Sequence, residues 1–279
     1  MLPAAVKRLL GRNLMLTLGL GIVLFMSLAA LCAPLIAPYP PTAQHLDNIL
    51  EPPSSRFWLG TDRLGRDVFS RLLYGGRVSL WVGFVAVGIS ISIGTVLGLI
   101  SGYFRRWVDE AIMRMVDIML CFPSFFLILA VIAFLEPDLT NIMVVIGLTS
   151  WMGVTRLVRA EALSLREREF VAAARLAGSP TRRILFRHIL PNALAPVLIT
   201  ATLGVAGAIL VESSLSFLGL GVQAPTPEWG AMLNEAKNVM TSNPVQMIAP
   251  GIAIVVLVCV FNLMGDALRD VLDPKEVQK

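Results

Sequence analysis

Charge is scarce in this chain: Asp, Glu, Lys and Arg make up 15% of 279 residues, against 56% hydrophobic residues and a mean hydropathy of +0.75. A soluble domain of that size needs more charge to cover its surface, so an integral membrane protein is expected. Histidine is nearly absent, and His45 and His188 fall on opposite sides of the expected membrane. The three cysteines, Cys32, Cys121 and Cys259, each lie inside an apolar run. That pattern suits packed core thiols and offers neither a disulfide framework nor a metal cluster. The four lysines follow Val6, Ala236, Pro274 and Gln278, so the Gly-Lys pair of a phosphate loop does not occur. Gly219 to Ala224 imitates a dinucleotide fingerprint, but it follows an apolar run and precedes a proline-rich loop, so the strand–turn–helix context is missing. Ser, His and acidic residues show no pairing suited to nucleophilic catalysis. No catalytic residue, no metal, no cofactor and no nucleic-acid partner is expected.

Apolar runs are what the sequence does have. A bilayer core takes roughly 20 mostly apolar residues per helical span, and six stretches meet or approach that: about Leu14–Ala37, Val78–Ser101, Ile118–Leu135, Ile142–Val158, Leu194–Leu218 and Met247–Gly265. The prediction is an all-α, polytopic bundle of about six transmembrane helices forming one membrane domain over 1–279, with five spans or a re-entrant segment as the alternative. Lys7 and Arg8 precede an apolar core longer than the roughly 7–15 residues of a secretory signal, and Leu31 is too large for lipoprotein cleavage before Cys32, so an uncleaved first span is expected. With both termini in the cytoplasm, inner segments hold 17 of the 23 Lys and Arg and outer segments hold six. The five Arg of the first outer loop work against this bias. Asp47, Glu51, Asp62 and Asp67 largely balance them, although the rule counts positive residues rather than net charge.

Between the runs lie three polar stretches. The first outer loop, about 38–77, opens proline-rich. From Leu64 it places Leu64, Val68, Phe69, Leu72 and Leu73 on one helical face and Arg66, Asp67, Ser70 and Arg71 on the other, as a short helix in the outer interface would. In the second run Ser90, Gly94, Gly98 and Gly102 recur every fourth residue, a close-packing signal in lipid, with a glycine-lined path as the alternative. In the outer loop at about 219–246, Thr226 is expected to cap a helix starting at Pro227. Its apolar stripe, Trp229, Met232, Leu233, Ala236 and Met240, is expected to dip into the membrane mouth or lie on its surface, as a lid or hairpin.

The third stretch, 159–191, is the most informative. Arg156, Arg159, Arg166, Arg168, Arg175, Arg182, Arg183 and Arg187 cluster there with Glu161, Glu167 and Glu169. Ala160–Ala177 is built of strong helix formers. Gly178 stops that helix, and Ser179 and Pro180 start a second, in which Ile184, Leu185, His188 and Ile189 share a stripe before Pro191 ends it. The result is a helix–turn–helix bracket whose tip, Ala172-Ala173-Ala174, is nearly bare of side chains. Such a tip suits insertion into a groove on another protein; a self-packed loop covering the span ends is the other reading.

Ala172-Ala173-Ala174, then Gly178, then Leu190-Pro191, resembles the EAA loop of permease subunits of bacterial ATP-binding-cassette importers. Two positions depart from that pattern: Ala172 replaces the leading Glu, and His188 stands where Ile is usual. Leu59-Gly60-Thr61-Asp62, Gly65-Arg66-Asp67, Ser70-Arg71, Ser216–Gly221, Pro225–Gly230 and Phe261–Asp266 are similar to signatures of the dipeptide, oligopeptide and nickel branch, second-permease type. The resemblance covers about residues 10–275. It implies a type I importer architecture in the bacterial inner membrane, with a homologous permease as heterodimer partner, two cytoplasmic ATP-binding subunits and an extracytoplasmic solute-binding protein. It also implies that Glu169, Ala172, Ala173, Ala174, Arg175, Gly178, Leu190 and Pro191 belong to the ATPase-coupling loop, and that transport runs by alternating access. Di- or oligopeptides are the first expectation for substrate, with nickel chelates or glutathione as alternatives. Glu212, Ser213 and Ser214, a polar patch in the fifth run, are candidates for the path or a subunit interface; Pro227, Trp229 and Met232 are candidates for the outer mouth. An ion-driven transporter or channel is the rival class, but it normally carries ionisable residues near mid-membrane, and here the runs offer chiefly Glu212.

Overall fold

The computed structural model describes residues 14–136 and 138–272. The chain forms α1 (Leu14–Leu31), α2 (Val68–Phe104), α3 (Arg106–Leu120), α4 (Ser124–Phe134), α5 (Leu139–Leu148), α6 (Trp151–Arg166), α7 (Glu169–Leu176), α8 (Thr181–Phe217), α9 (Trp229–Ala236) and α10 (Val245–Leu272). Among the described residues, α1, α2, the α5–α6 stretch Leu139–Arg166, α8 and α10 are each long and apolar enough to cross a bilayer. The α3–α4 pair passes the same test but is bent by 80°. The predicted third span is therefore broken. Pro123 lies in the break, with no N–H to donate, and its ring disfavours helical backbone at Phe122.

Two further expectations are corrected at helix boundaries. The interfacial helix predicted from Leu64 is not a separate element: Asp67 caps α2, its Oδ2 accepting from Ser70 N at 2.8 Å, and α2 runs unbroken for 37 residues. Nor does Pro191 end a helix. A π-helical stretch, Ile184–Ile189, leads directly into it, and the wider turn relieves the clash of the proline ring with the carbonyl four residues back.

The small-residue ladder of α2 packs on α6. A Cβ at Gly98 would lie 2.7 Å from Thr155 O, and one at Gly102 would lie 2.7 Å from Arg159 O, so only glycine allows this crossing. One apolar core, with Leu80, Val205, Ile209, Trp229, Met232 and Leu257, binds α2, α8, α9 and α10 at one end of the bundle. Another, with Leu99, Val158, Ala162, Val171, Ile184 and Ile189, binds α2, α6, α7 and α8 at the other. The cysteines differ from expectation. Cys121 and Cys259 are exposed and Cys32 is half-buried, because apolar runs in a bundle also supply its outer face.

Candidate functional site

The bracket is a packed base with a bare tip. Its first helix is interrupted at Glu167 and Arg168, so α7 starts afresh at Glu169. Val171 and Ala174 of α7 turn inward, together with Ile184, Leu185 and Ile189. Tyr103 at the end of α2 is flanked by two guanidinium groups, Arg175 at 5.2 Å and Arg166 at 5.8 Å from the ring centre, and Arg166 also donates to the Tyr103 carbonyl. Gly178 adopts φ +72°, with its N–H bonded to Arg175 O and that of Ser179 to Ala174 O. This 5→2 and 6→1 pair terminates α7 and turns the chain back.

What remains outside is a set of alanines and two larger apolar side chains, with charged residues beside them. Ala172, Ala173 and Ala177 are exposed, Phe170 is 40% exposed, and Leu176 projects with 91% of its surface free. Glu169, Arg175 and Gly178 are also exposed, Leu190 is half-buried and Pro191 exposed. Sequence reasoning missed Leu176. The available signal was its phase: Val171 and Ala174 set the buried stripe of α7, and Leu176 falls on the far side of it.

At the opposite end α9 is a lid seated inward. Its cap is Glu228 rather than the expected Thr226, because one carboxylate accepts from both Gly230 N at 2.5 Å and Ala231 N at 2.8 Å. Trp229 donates from Nε1 to Leu72 O at 2.9 Å and lies against Gly75 and Gly76. Met232 is buried beside it, and Pro227 is buried too, whereas Met240 is 52% exposed, off the expected stripe. Glu212 is fully buried and accepts from Ser216 Oγ at 2.9 Å and from Ser213 Oγ at 3.4 Å. Ser213 is buried alongside it and Ser214 is exposed. Burial pushes the Glu228 carboxyl above the usual carboxylate range, opposed by the bonds from Gly230 and Ala231.

A charge quartet, buried at Asp62, Arg66 and Arg71 and about a third exposed at Glu235, ties the lid to the 38–67 segment and the start of α2. Arg66 Nε meets Asp62 Oδ2 and Arg66 Nη2 meets Glu235 Oε2, both at 2.7 Å; Arg71 Nη1 meets Glu235 Oε2 at 2.6 Å and also bonds Asp62. These arginines, expected on the exposed face of a surface helix, are 4% and 2% exposed. Between α2, the α5–α6 break and α8 lies an open crevice of about 250 Å³, lined by Ser90, Ser150, Thr200, Gly204, Gly207 and Val211 among others. Its hydroxyls are its polar groups, and no ionisable side chain lines it.

Residues 94–278 match the family described as binding-protein-dependent transport system inner membrane component. Residues 5–53 match the N-terminal transmembrane domain of oligopeptide transport permease C. The chain is 47% identical over 266 residues to the dipeptide transport system permease protein DppC of Alkalihalophilus pseudofirmus, covering 95% of this chain and 88% of that protein. It is 43% identical to the protein of the same name from Haemophilus influenzae, over 92% of this chain and 90% of the other. To the glutathione transport system permease protein GsiD of Pectobacterium atrosepticum it is 42% identical, over 96% and 89%. Among solved structures, an inward-facing MetNI methionine ABC transporter chain aligns with TM-score 0.59 at 19% identity, over 73% of this chain and 97% of that one. That likeness concerns the fold.

Proposed function

This chain belongs to the binding-protein-dependent transport system inner membrane component family, and from that premise we propose that it forms one half of a translocation path for di- or oligopeptides. It is a multi-pass membrane protein and a transport permease subunit. In this proposal the other half of the path is a homologous permease, two separate cytoplasmic subunits hydrolyse ATP, and a solute-binding protein delivers substrate on the outer side. Both termini lie in the cytoplasm of a bacterium, with the bracket. The observation that carries the reading is the bracket itself: a base packed on α6 and α8, ending in an exposed surface of Ala173, Leu176 and Ala177. The exposure of Leu176 supports docking over a self-packed loop. Closure of the ATPases around this tip moves the base, the spans rock, and the crevice opens to alternate sides.

Relatives named for dipeptide transport and for glutathione transport both cover nearly the whole chain. Glutathione, itself a modified tripeptide, is therefore the second reading. The complex in proteoliposomes with its binding protein is expected to take up labelled dipeptide only with internal ATP, and excess glutathione should compete if it shares the path. Uptake driven by an ion gradient with the ATPases absent would overturn the proposal.

Orientation has its own check. Lys237 is exposed beside the end of α8, its ammonium on Phe217 O at 2.8 Å, whereas Asn234 is half-buried and bonded to Ser216 O. Lys237→Cys, in a background lacking the native cysteines, should react with an impermeant maleimide added outside the cell. Reaction solely from the cytoplasmic side would invert the topology and remove the bracket from the ATPases.

Glu212 we assign to the seam between α8 and the lid. A carboxyl in an apolar setting costs several kcal/mol unless it is partnered, and the hydroxyls of Ser216 and Ser213 partner it here. Glu212→Gln keeps shape and most of the hydrogen bonding, so assembly and uptake should stay near wild type. An assembled Gln variant that has lost uptake would instead put the carboxylate on the path.

A further inference from the structure

α3 packs Val116, with Met113 and Met119, against Trp151 and Met152 of α6, and charge pairs add to that apolar contact. Val116 is its buried residue. Arg159 of α6 donates from Nε and Nη2 to the two carboxylate oxygens of Asp109, at 2.5 and 2.6 Å, and Ser101 Oγ of α2 donates to the same carboxylate. Two turns further along α3, Arg156 Nη2 meets Asp117 Oδ1 at 2.5 Å. A forked Arg–carboxylate contact fixes orientation as well as distance; the second pair, about half exposed on both partners, adds a weak surface tie. At the corner leading into α3, Arg105 and Arg106 take φ +56° and +53°, with ψ −166° at Arg105, a conformation that suits glycine. Such a corner persists where surrounding contacts over-determine it, and the clamp supplies them.

The same helix α6 carries the bracket. Val158 and Ala162 pack on Val171 and Ile184, and Arg166 ties the helix end to Tyr103. Bracket, α6 and α3 thus form one connected body. Past Leu120 the chain bends by 80° into α4. There Ile128 and Ile132 pack against Ala86, Ile146 and Ala208, which also line the crevice.

We propose that Asp109–Arg159 is a positioning pair that carries displacement of the bracket through α3 and its bend into the wall of the crevice. The proposal rests on the reading of the bracket as the ATPase-docking element. A coupling route of this kind is established by showing that both ends bias one moving element. Cys121, exposed at the bend, reports on it. In the assembled importer, with Cys32→Ser and Cys259→Ser, the rate of Cys121 labelling by N-ethylmaleimide is compared without nucleotide and after trapping with ATP and vanadate. Co-purification of the ATPases, uptake and ATP hydrolysis are measured on the same samples.

The expected result is a nucleotide-dependent labelling rate that is lost in Asp109→Arg and in Arg159→Asp and regained in the double exchange. Uptake should fall about tenfold or more in each single variant, as when a charge-assisted bond leaves its partner unpaired, while ATP hydrolysis continues. If the single variants fail to assemble, Asp109→Asn and Arg159→Gln, which keep a hydrogen bond without the charge, replace them with the same expectation. Nucleotide-dependent labelling and full uptake in the single variants would overturn the clamp. A wild-type importer with docked ATPases and unchanging Cys121 would overturn the route through α3. Absence of docked ATPases would instead remove the bracket reading beneath it.

Discussion

Replacing Ala173 by Trp is expected to abolish uptake while the protein remains in the membrane. Ala173 is exposed on the tip of α7 and takes no part in the core beneath it, so an indole there finds room in the isolated chain. The folded amount should stay near wild type. In a docked complex the same indole meets a surface shaped for a methyl group flanked by Leu176 and Ala177. Overpacking a fitted contact costs about 1–3 kcal/mol, and a lever that no longer seats loses transmission as well as affinity. Uptake should therefore fall by about tenfold or more, with substrate-stimulated ATP hydrolysis lost alongside it. Proteoliposome uptake and hydrolysis measured on the same preparation decide the matter. Wild-type values for both in the Trp variant would end the docking reading of the tip.

The largest loss of stability is expected from Arg71→Leu. Arg71 is 2% exposed and bridges Asp62 to Glu235; without it one cation, Arg66, faces two carboxylates. Removing one partner from a buried ion pair costs about 3–5 kcal/mol, because the remaining charge stays desolvated and uncompensated. The consequence is not confined to the 38–67 segment. Glu235 belongs to α9, whose Trp229 and Met232 sit in the core shared by α2, α8 and α10. The lid should loosen, with a lower thermal midpoint in detergent and a smaller monodisperse fraction on size exclusion. Arg71→Lys keeps the charge but loses the fork and should fall between the two. A midpoint for Arg71→Leu equal to wild type would show that the quartet does not hold the lid.

The parts legible in the sequence were those set by local chemistry. Gly178 stops α7 because a left-handed residue is needed there, and the glycine ladder of α2 meets α6 because small residues permit close approach. Family membership was legible from motif order. Three things were hidden for identifiable reasons. The third run carries Pro123 inside unbroken hydrophobicity, and hydropathy records composition but not direction, so the 80° bend left no trace in it. Arg66 and Arg71 alternate with apolar neighbours as a surface helix would. Their acidic partner Glu235 lies 169 and 164 residues away, beyond any local pattern. The cap of α9 moved because Glu228 offers two acceptor oxygens to two backbone N–H groups, outcompeting the single hydroxyl of Thr226.

The exposed tip of the bracket also bears on how a cell keeps subunit numbers matched. A copy of this chain made in excess of its partners presents Leu176, with Phe170 and bare alanines around it, on a short helix that nothing else covers. Exposed apolar side chains on a short helix are what chaperones hold and membrane proteases grip. Occupation of the tip then doubles as a certificate of assembly. If the tip docks as proposed, orphan copies are expected to be short-lived, and the abundance of this subunit to follow the scarcest member of its complex rather than its own rate of synthesis.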